Sequence, residues 1–421
     1  MCFGCWAAVL AVCFALLCAV AAIPTDSIRE NLIKSCDKMA AQEPHGAVGG
    51  LYHSIQDNYA DAVLLGVAAN MNDDNAAVAA LDTKYYDDGY GPAVGIRATL
   101  DGREADNDYT RYWHGSLVAV RPMLLFTDID GVRIILCTVM VLLLIGNGIL
   151  MIRKKHTAAF VILAVSIVLV QGWFVPTTVE YMSVFIIMLA VLPLYVKFAH
   201  DPRALAVISA GVGTVTAFAD FLTAETITLL VPLTAAFFIV AEKGDKPDNK
   251  KGLKMALSSM AAWGACYLMT FAAKWLIASA VLGRNVSDMA MSAAAERVGG
   301  LGDEISSPFE LLFSALGANI TMLSPVSDKV SVVWSLGWIA LFAAVCVFIL
   351  RLDTRRLCLP KAVMIIIAAL PLLRFCVLKN HSYLHNFFTY RALMTSIMAV
   401  LGLVWYRVGG SKKQQGKART K

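Results

Sequence analysis

The chain has 421 residues, 58% of them hydrophobic and 16% charged, with a formal net charge of +5. Ordinary soluble domains are ~45–50% apolar and ~25% charged, so the composition speaks against a soluble globular protein. The basic excess does not point to nucleic acid either, because it is concentrated in short loops between long apolar runs.

The first apolar run, Phe3 to Ala22, has the ~20 residues a helix needs to cross ~30 Å of hydrocarbon. Residues 1–23 read as a first transmembrane helix. Ala19-Val20-Ala21 resembles a signal-peptide cleavage site, but no Lys or Arg precedes the run, which favours an uncleaved helix. Residues 24–130 read as an acidic, helical, external segment. Thr25 or Asp26 caps a helix carrying Ile28, Leu32, Ile33 and Cys36 at helical spacing. Ser54 caps a second through Ile55, Ala60, Val63 and Leu64, with Asp57 and Asp61 one turn apart. After a turn-rich connector at Asp87–Pro92, Asp106 or Asn107 opens an amphipathic helix to Arg121 that suits a membrane surface. Helical spacing puts Asn107, Arg111 and His114 on one face of it, with Asp108 one turn from Arg111.

Nine further apolar runs lie between Ile134 and Tyr406, so residues 131–407 read as a nine-helix transmembrane domain. Some runs are near sixteen residues, and tilt or interfacial flanks must complete the crossing. An external loop at 284–330 holds a helical stretch, Ser306–Leu323, with an apolar stripe of Phe309, Leu312, Phe313 and Leu316. Basic residues recur in every second loop. They are Arg153, Lys154 and Lys155; Lys197 and Arg203; Lys243, Lys246, Lys250, Lys251 and Lys254; Arg351, Arg355, Arg356 and Lys361; and a tail at 408–421. Basic loops stay cytoplasmic, so ten spans place both termini inside a plasma (inner) membrane. Most cysteines sit in or beside apolar spans, and Cys36 has no evident partner, which argues against a disulfide framework. The class is all-α and polytopic.

Charges at membrane depth are costly and therefore point to function. Lys274 lies inside the seventh apolar run and Arg374 inside the ninth; Asp220 ends the fifth, Glu225 opens the sixth and Glu180 opens the fourth. With His381, His385 and Arg391 they project toward the external face, where a pocket of mixed carboxylates and cations is expected. Taken singly, each has a bland alternative as a cap, a solvated carboxylate or a snorkelling cation. His381 and His385 have the i, i+4 spacing of helical metal ligands, but no third ligand is evident. His385 and Arg391 suit a phosphate group, the arginine through its bidentate fork. Asp106-Asn107-Asp108 is an Asp-x-Asp triplet, yet no glycine-rich turn accompanies it to seat a nucleotide.

Four patches, Asp57–Leu65, Asp106–Pro122, Phe218–Thr223 and His381–Arg391, together with the layout of spans, resemble bacterial polytopic GT-C-type glycosyltransferases. The resemblance is closest to an envelope-associated group of them. It implies a polyprenyl-phosphate sugar as donor and an envelope glycan, lipid or protein as acceptor. It also implies an essential carboxylate soon after the first helix, matched by Asp61 with Asp57 as the alternative. A second acidic site falls at Asp106 or Asp108. Arg111, His114, Lys274, Arg374, His381, His385 and Arg391 fall to the lipid phosphate, with Asp220 and Glu225 in support. A divalent cation, if used, falls to Asp61 and Asp108. The competing class is a transporter or flippase for a lipid-linked or small polar solute, and a non-catalytic envelope assembly protein is a third.

Overall fold

The computed structural model describes the chain except residues 52, 88, 90, 243–247, 301–304, 306, 325–336, 338, 339, 342, 346, 349, 350, 352–356 and 419–421, and gives only the backbone of 407–418. Lys243, Lys246, Arg355, Arg356, the side chains of the basic tail, the end of the 284–330 loop and most of the eighth apolar run therefore lie outside the described residues.

Helix α1 (Cys2–Ala21) is followed by α2 (Thr25–Ala40), which buries Ile28, Leu32, Ser35, Cys36 and Met39 at the expected helical spacing. A short hairpin comes next. Strand β1 (His45–Ala47) runs antiparallel to β2 (Ile55–Asp57), with His45 directly opposite Asp57. The helix expected from Ser54 begins only at α3 (Asn58–Asn70), because Asp57 caps it, taking the Ala60 N–H at 2.8 Å. Then come α4 (Ala76–Leu81), β3 (Lys84–Tyr85) and α5 (Pro92–Leu100).

The helix expected from Asp106 to Arg121 does not form. Residues Asn107–Asp108 are strand β4, paired to β3 with Asp108 opposite Lys84. Asp108 takes the Thr110 N–H at 2.9 Å, and the Tyr109 N–H goes to the Thr83 carbonyl at 2.9 Å. Short polar side chains that satisfy nearby backbone compete with the helix in this way. His114 has φ of 56°, and Gly115 donates to the Phe218 carbonyl at 2.8 Å, where a Cβ would collide with the Phe218 ring. Only α6 (Leu117–Met123) stays helical, so the shared face of Asn107, Arg111 and His114 is lost. Arg121, fully buried, donates to the Ala68 and Ile23 carbonyls at 2.5 Å each, setting its charge against the C-terminal ends of α3 and α1.

The bundle proper comprises α7 (Ile129–Arg153), α8 (Thr157–Leu169), α9 (Val179–Lys197), α10 (Pro202–Ala219), α11 (Ile227–Glu242) and α12 (Asn249–Leu282). After α13 (Val286–Gly299) and α14 (Pro308–Thr321) come α15 (Lys361–Val377), α16 (Lys379–Leu384), α17 (Asn386–Thr389) and α18 (Met394–Ala418). Among the described residues six helical stretches are long and apolar enough to cross a bilayer: α1, α7, α9, α10, α12 and Asn386–Tyr406. Helices α8 and α11 are apolar but shorter, and α15 has 17 residues. By length and composition this is a multi-pass, mostly helical membrane protein. Away from water each span must satisfy its own backbone, which a helix does within its own length.

Helix α9 packs on α7 and α11, α10 on α12 and α1, and α18 on α15, α11 and α8. Gly213 lets α10 approach α12 so closely that a Cβ would strike the Trp263 carbonyl. The segment before α7 caps one end of this bundle, α3 touching α9 and α4 touching α12. The expected stripe on α14 faces outward at Phe309 and Phe313, while Leu311, Ala315 and Asn319 form its buried side.

Candidate functional site

At the capped end of the bundle a cavity with about 610 Å³ of empty space, open solvent included, gathers residues from six parts of the chain. The hairpin and α3 give His45, Asp57, Tyr59, Ala60, Val63 and Leu64; the β4–α6 turn gives Tyr109 and His114. Glu180 comes from the first turn of α9, Phe221 from the α10–α11 turn, Arg297 from α13, and His381, His385 and Phe388 from the segment before α18.

The two acids on its wall differ in surroundings. Asp57 has one oxygen on the Ala60 N–H and lies 3.5 Å from His45 Nε2. Burial, more than any neighbour, pushes its carboxyl up to about 7. Glu180 is 9% exposed, and among the described residues its carboxylate has no hydrogen-bond or ion-pair partner. Arg297 gives its Nε and Nη2 to the Tyr112 hydroxyl at 3.2 and 2.7 Å, and among the described residues no carboxylate lies within ion-pair reach of it. The histidines are neutral: burial holds His114 down at about 3 and His385 at about 4, and His381 well below the ordinary range.

A strained turn presents Phe221. Leu222 has φ of 68°, unusual for a bulky residue. Asp220 holds the turn by accepting the Leu222 N–H at 3.0 Å, the Thr223 N–H at 3.2 Å and the Thr223 hydroxyl at 2.5 Å. Arg374 donates to the Leu222 carbonyl at 2.6 Å and pairs with Glu225 at 2.8 Å, while His381 Nε2 reaches the same carbonyl at 2.9 Å. Asp220, Glu225 and Arg374 therefore build the cavity wall and do not line it.

The remaining expected residues are placed elsewhere. Asp61 is bound by Arg133 at 2.7 and 2.9 Å and accepts the Val179 N–H at 3.0 Å, so it ties α3 to α7 and to the start of α9. Asp108 pairs with Arg284, which also holds Asp82 at 2.5 Å. Hydrogen bonds from Arg284 and Thr110 outweigh the opposing effect of burial and keep the Asp108 carboxyl below the ordinary range. Asp106 is exposed and takes the Asp87 N–H at 2.8 Å. Lys274 donates to the Leu81 carbonyl at 2.8 Å at the end of α4, over the Trp113 ring. The Arg111 guanidinium stacks on Tyr109 at 4.2 Å, one wall residue away from the cavity. Arg391 is buried behind the wall, 4.3 Å from the centroid of Tyr181, with Nε and Nη2 unpartnered among the described residues; it meets neither Asp220 nor Glu225.

Of the expected residues the structure thus brings together Asp57, His114, Glu180, His381 and His385. His45, Arg297 and the aromatic walls were not singled out in the sequence, whereas Glu180 was expected among the charges of an external-face pocket without a role of its own. Asp61 and Asp108, the expected cation ligands, belong to separate ion pairs, and among the described residues no three His, Cys, Asp or Glu side chains group closely enough to hold a metal ion. No family model, curated protein or solved structure matches the chain.

Proposed function

We propose that this protein is a membrane glycosyltransferase that moves a sugar from a polyprenyl-phosphate donor to an acceptor of the cell envelope. The observation that carries the reading is that Asp57, Glu180 and Arg297 line one cavity, with Tyr59, Tyr109, Phe221 and Phe388 as its aromatic walls. Transfer from a lipid phosphate requires a carboxylate to receive the proton of the acceptor hydroxyl. It also requires fixed cations where charge develops on the departing phosphate. Among the described residues Arg297 is paired with no carboxylate, and the guanidinium edge not turned to Tyr112 is a planar pair of donors suited to phosphate. His385 lies beside it as a second donor, and Arg391 adds positive field from behind Tyr181. Apolar helix surfaces exposed to lipid suit the prenyl chain. The carboxylate that the resemblance placed at Asp61 passes in this reading to the cavity acids.

Transport of a lipid-linked or small polar solute would need a route through the bundle. A second cavity, of about 830 Å³ with open solvent included, lies at the opposite end around His200, Asp248 and Lys251, and it shares no lining residue with the first.

The test is binding of a polyprenyl phosphate to purified protein in lipid nanodiscs. Wild type should bind, R297Q should bind at least tenfold more weakly, and R297K should fall between them because it keeps the charge and loses the fork. Equal binding by all three would remove the phosphate from this cavity. Transfer is then assayed with a panel of polyprenyl-phosphate sugars.

A further inference from the structure

The two cavity acids are not equivalent, and their surroundings divide the work between them. Asp57 is committed to the fold. Its carboxylate caps α3 through the Ala60 N–H and sits 3.5 Å from His45 Nε2, directly across the hairpin. Its own N–H goes to the Thr178 hydroxyl at 3.1 Å, so one residue joins the hairpin, α3 and the start of α9. The His45 ring is itself held between Tyr59 and Phe387, with centroids 5.8 and 5.5 Å away. Glu180 has no such commitments. It is more than nine-tenths buried, lines the cavity, and has both carboxylate oxygens free of protein donors among the described residues. A carboxylate taken out of water without a partner is costly. A hydroxyl donated by a bound ligand offsets part of that cost.

We infer that Glu180 is the catalytic base of the proposed transfer, and that Asp57 with His45 is a positioning pair that fixes the hairpin against the cavity. This rests on the transferase reading. The acceptor hydroxyl donates to a Glu180 oxygen. As its oxygen bonds to the sugar's anomeric carbon, the proton passes to Glu180. The bond from that carbon to the phosphate oxygen breaks, and the electron pair leaves with the polyprenyl phosphate, whose added negative charge Arg297 meets. Glu180 then returns its proton to cavity water.

The experiment compares wild type, E180Q, E180D, D57N and H45Q in nanodiscs. It measures transfer from a polyprenyl-phosphate sugar and, separately, binding of polyprenyl phosphate alone. E180Q should lose ~10²–10⁴-fold in kcat, the usual cost of a lost general base, with polyprenyl-phosphate binding unchanged and the thermal midpoint equal or higher. E180D should recover part of the rate, since it restores the carboxylate one methylene short. D57N and H45Q should act mainly through a raised KM and a lowered midpoint. An active wild type with an equally active E180Q overturns this assignment alone, as does a D57N that loses kcat with KM and midpoint intact. A wild type that transfers no sugar from any donor in the panel overturns the transferase reading and this assignment together. Binding of polyprenyl phosphate shows in either case that the variant is folded.

Discussion

Asp57 and Asp61 are one helical turn apart, yet one lines the cavity and the other is locked in a buried ion pair. Their sequence spacing puts both on the same side of any helix that contains them. What separates them is where the helix begins: at Asn58, which leaves Asp57 outside as the cap and Asp61 in the first turn, facing Arg133. A residue of α7 seventy-two positions away decides the matter, and no local pattern announces it. Removing one partner of a buried pair strands the other charge, typically at ~3–5 kcal/mol, whereas exchanging both for apolar groups is often neutral. D61N should therefore lower the thermal midpoint in detergent and reduce the amount of protein in the membrane, and D61L combined with R133M should recover most of it. A D61N protein of normal stability and abundance but no activity would return Asp61 to the catalytic role. Arg297 was hidden for a different reason. In an alanine-rich helix beside Glu296 it reads as a solvated surface charge, and only the packing of α13 over α16 turns it inward.

Among the elements, α2 was legible because burial on one side imprints a period on the sequence, and the helices of the bundle because lipid demands uninterrupted apolar runs. The β4–α6 stretch was not. Its residues have helical spacing, but Asp108, Thr83 and Phe218 satisfy the backbone by other routes. The segment from α16 to α17 carries its own pH response. Burial, with Arg374 beside His381 and Arg297 beside His385, keeps both rings neutral, His381 far below the ordinary range and His385 down to about 4. In the unfolded chain the same rings take up protons near 6.5. Between those values the unfolded state binds more protons than the native one, so these rings make stability fall as pH drops from about 6.5 toward 4. Asp57, raised from 3.8 to about 7, works in the opposite sense, because its native carboxyl keeps a proton that the unfolded one releases. The informative quantity is thus the difference between variants. H385N should lose less thermal midpoint than wild type between pH 6.5 and pH 4. Parallel curves would mean that His385 is protonated in the native protein.

At the scale of the molecule the expected topology has both termini in the cytoplasm and the cavity on the external face. Reporter fusions after residues 60, 155, 250 and 300 should read outside, inside, inside and outside. A cytoplasmic signal at residue 60 would put the cavity on the wrong side for a donor presented externally and end the transferase proposal. The multi-pass helical class was determined by the sequence itself, since the cost of unpaired backbone in hydrocarbon leaves its mark on every residue of a span. So was the presence of charges at the ends of the spans, because charge in lipid is too costly to be incidental. Which of those charges share a cavity was decided only by tertiary structure. Arg374 and Glu225 neutralise each other, Lys274 and Arg121 are absorbed by helix C-termini, and Glu180 and Arg297 have no ion-pair partner among the described residues. Pairing in space depends on contacts between distant residues, 193 apart for Lys274 and Leu81 and 202 apart for Arg284 and Asp82, and a linear pattern carries no record of them.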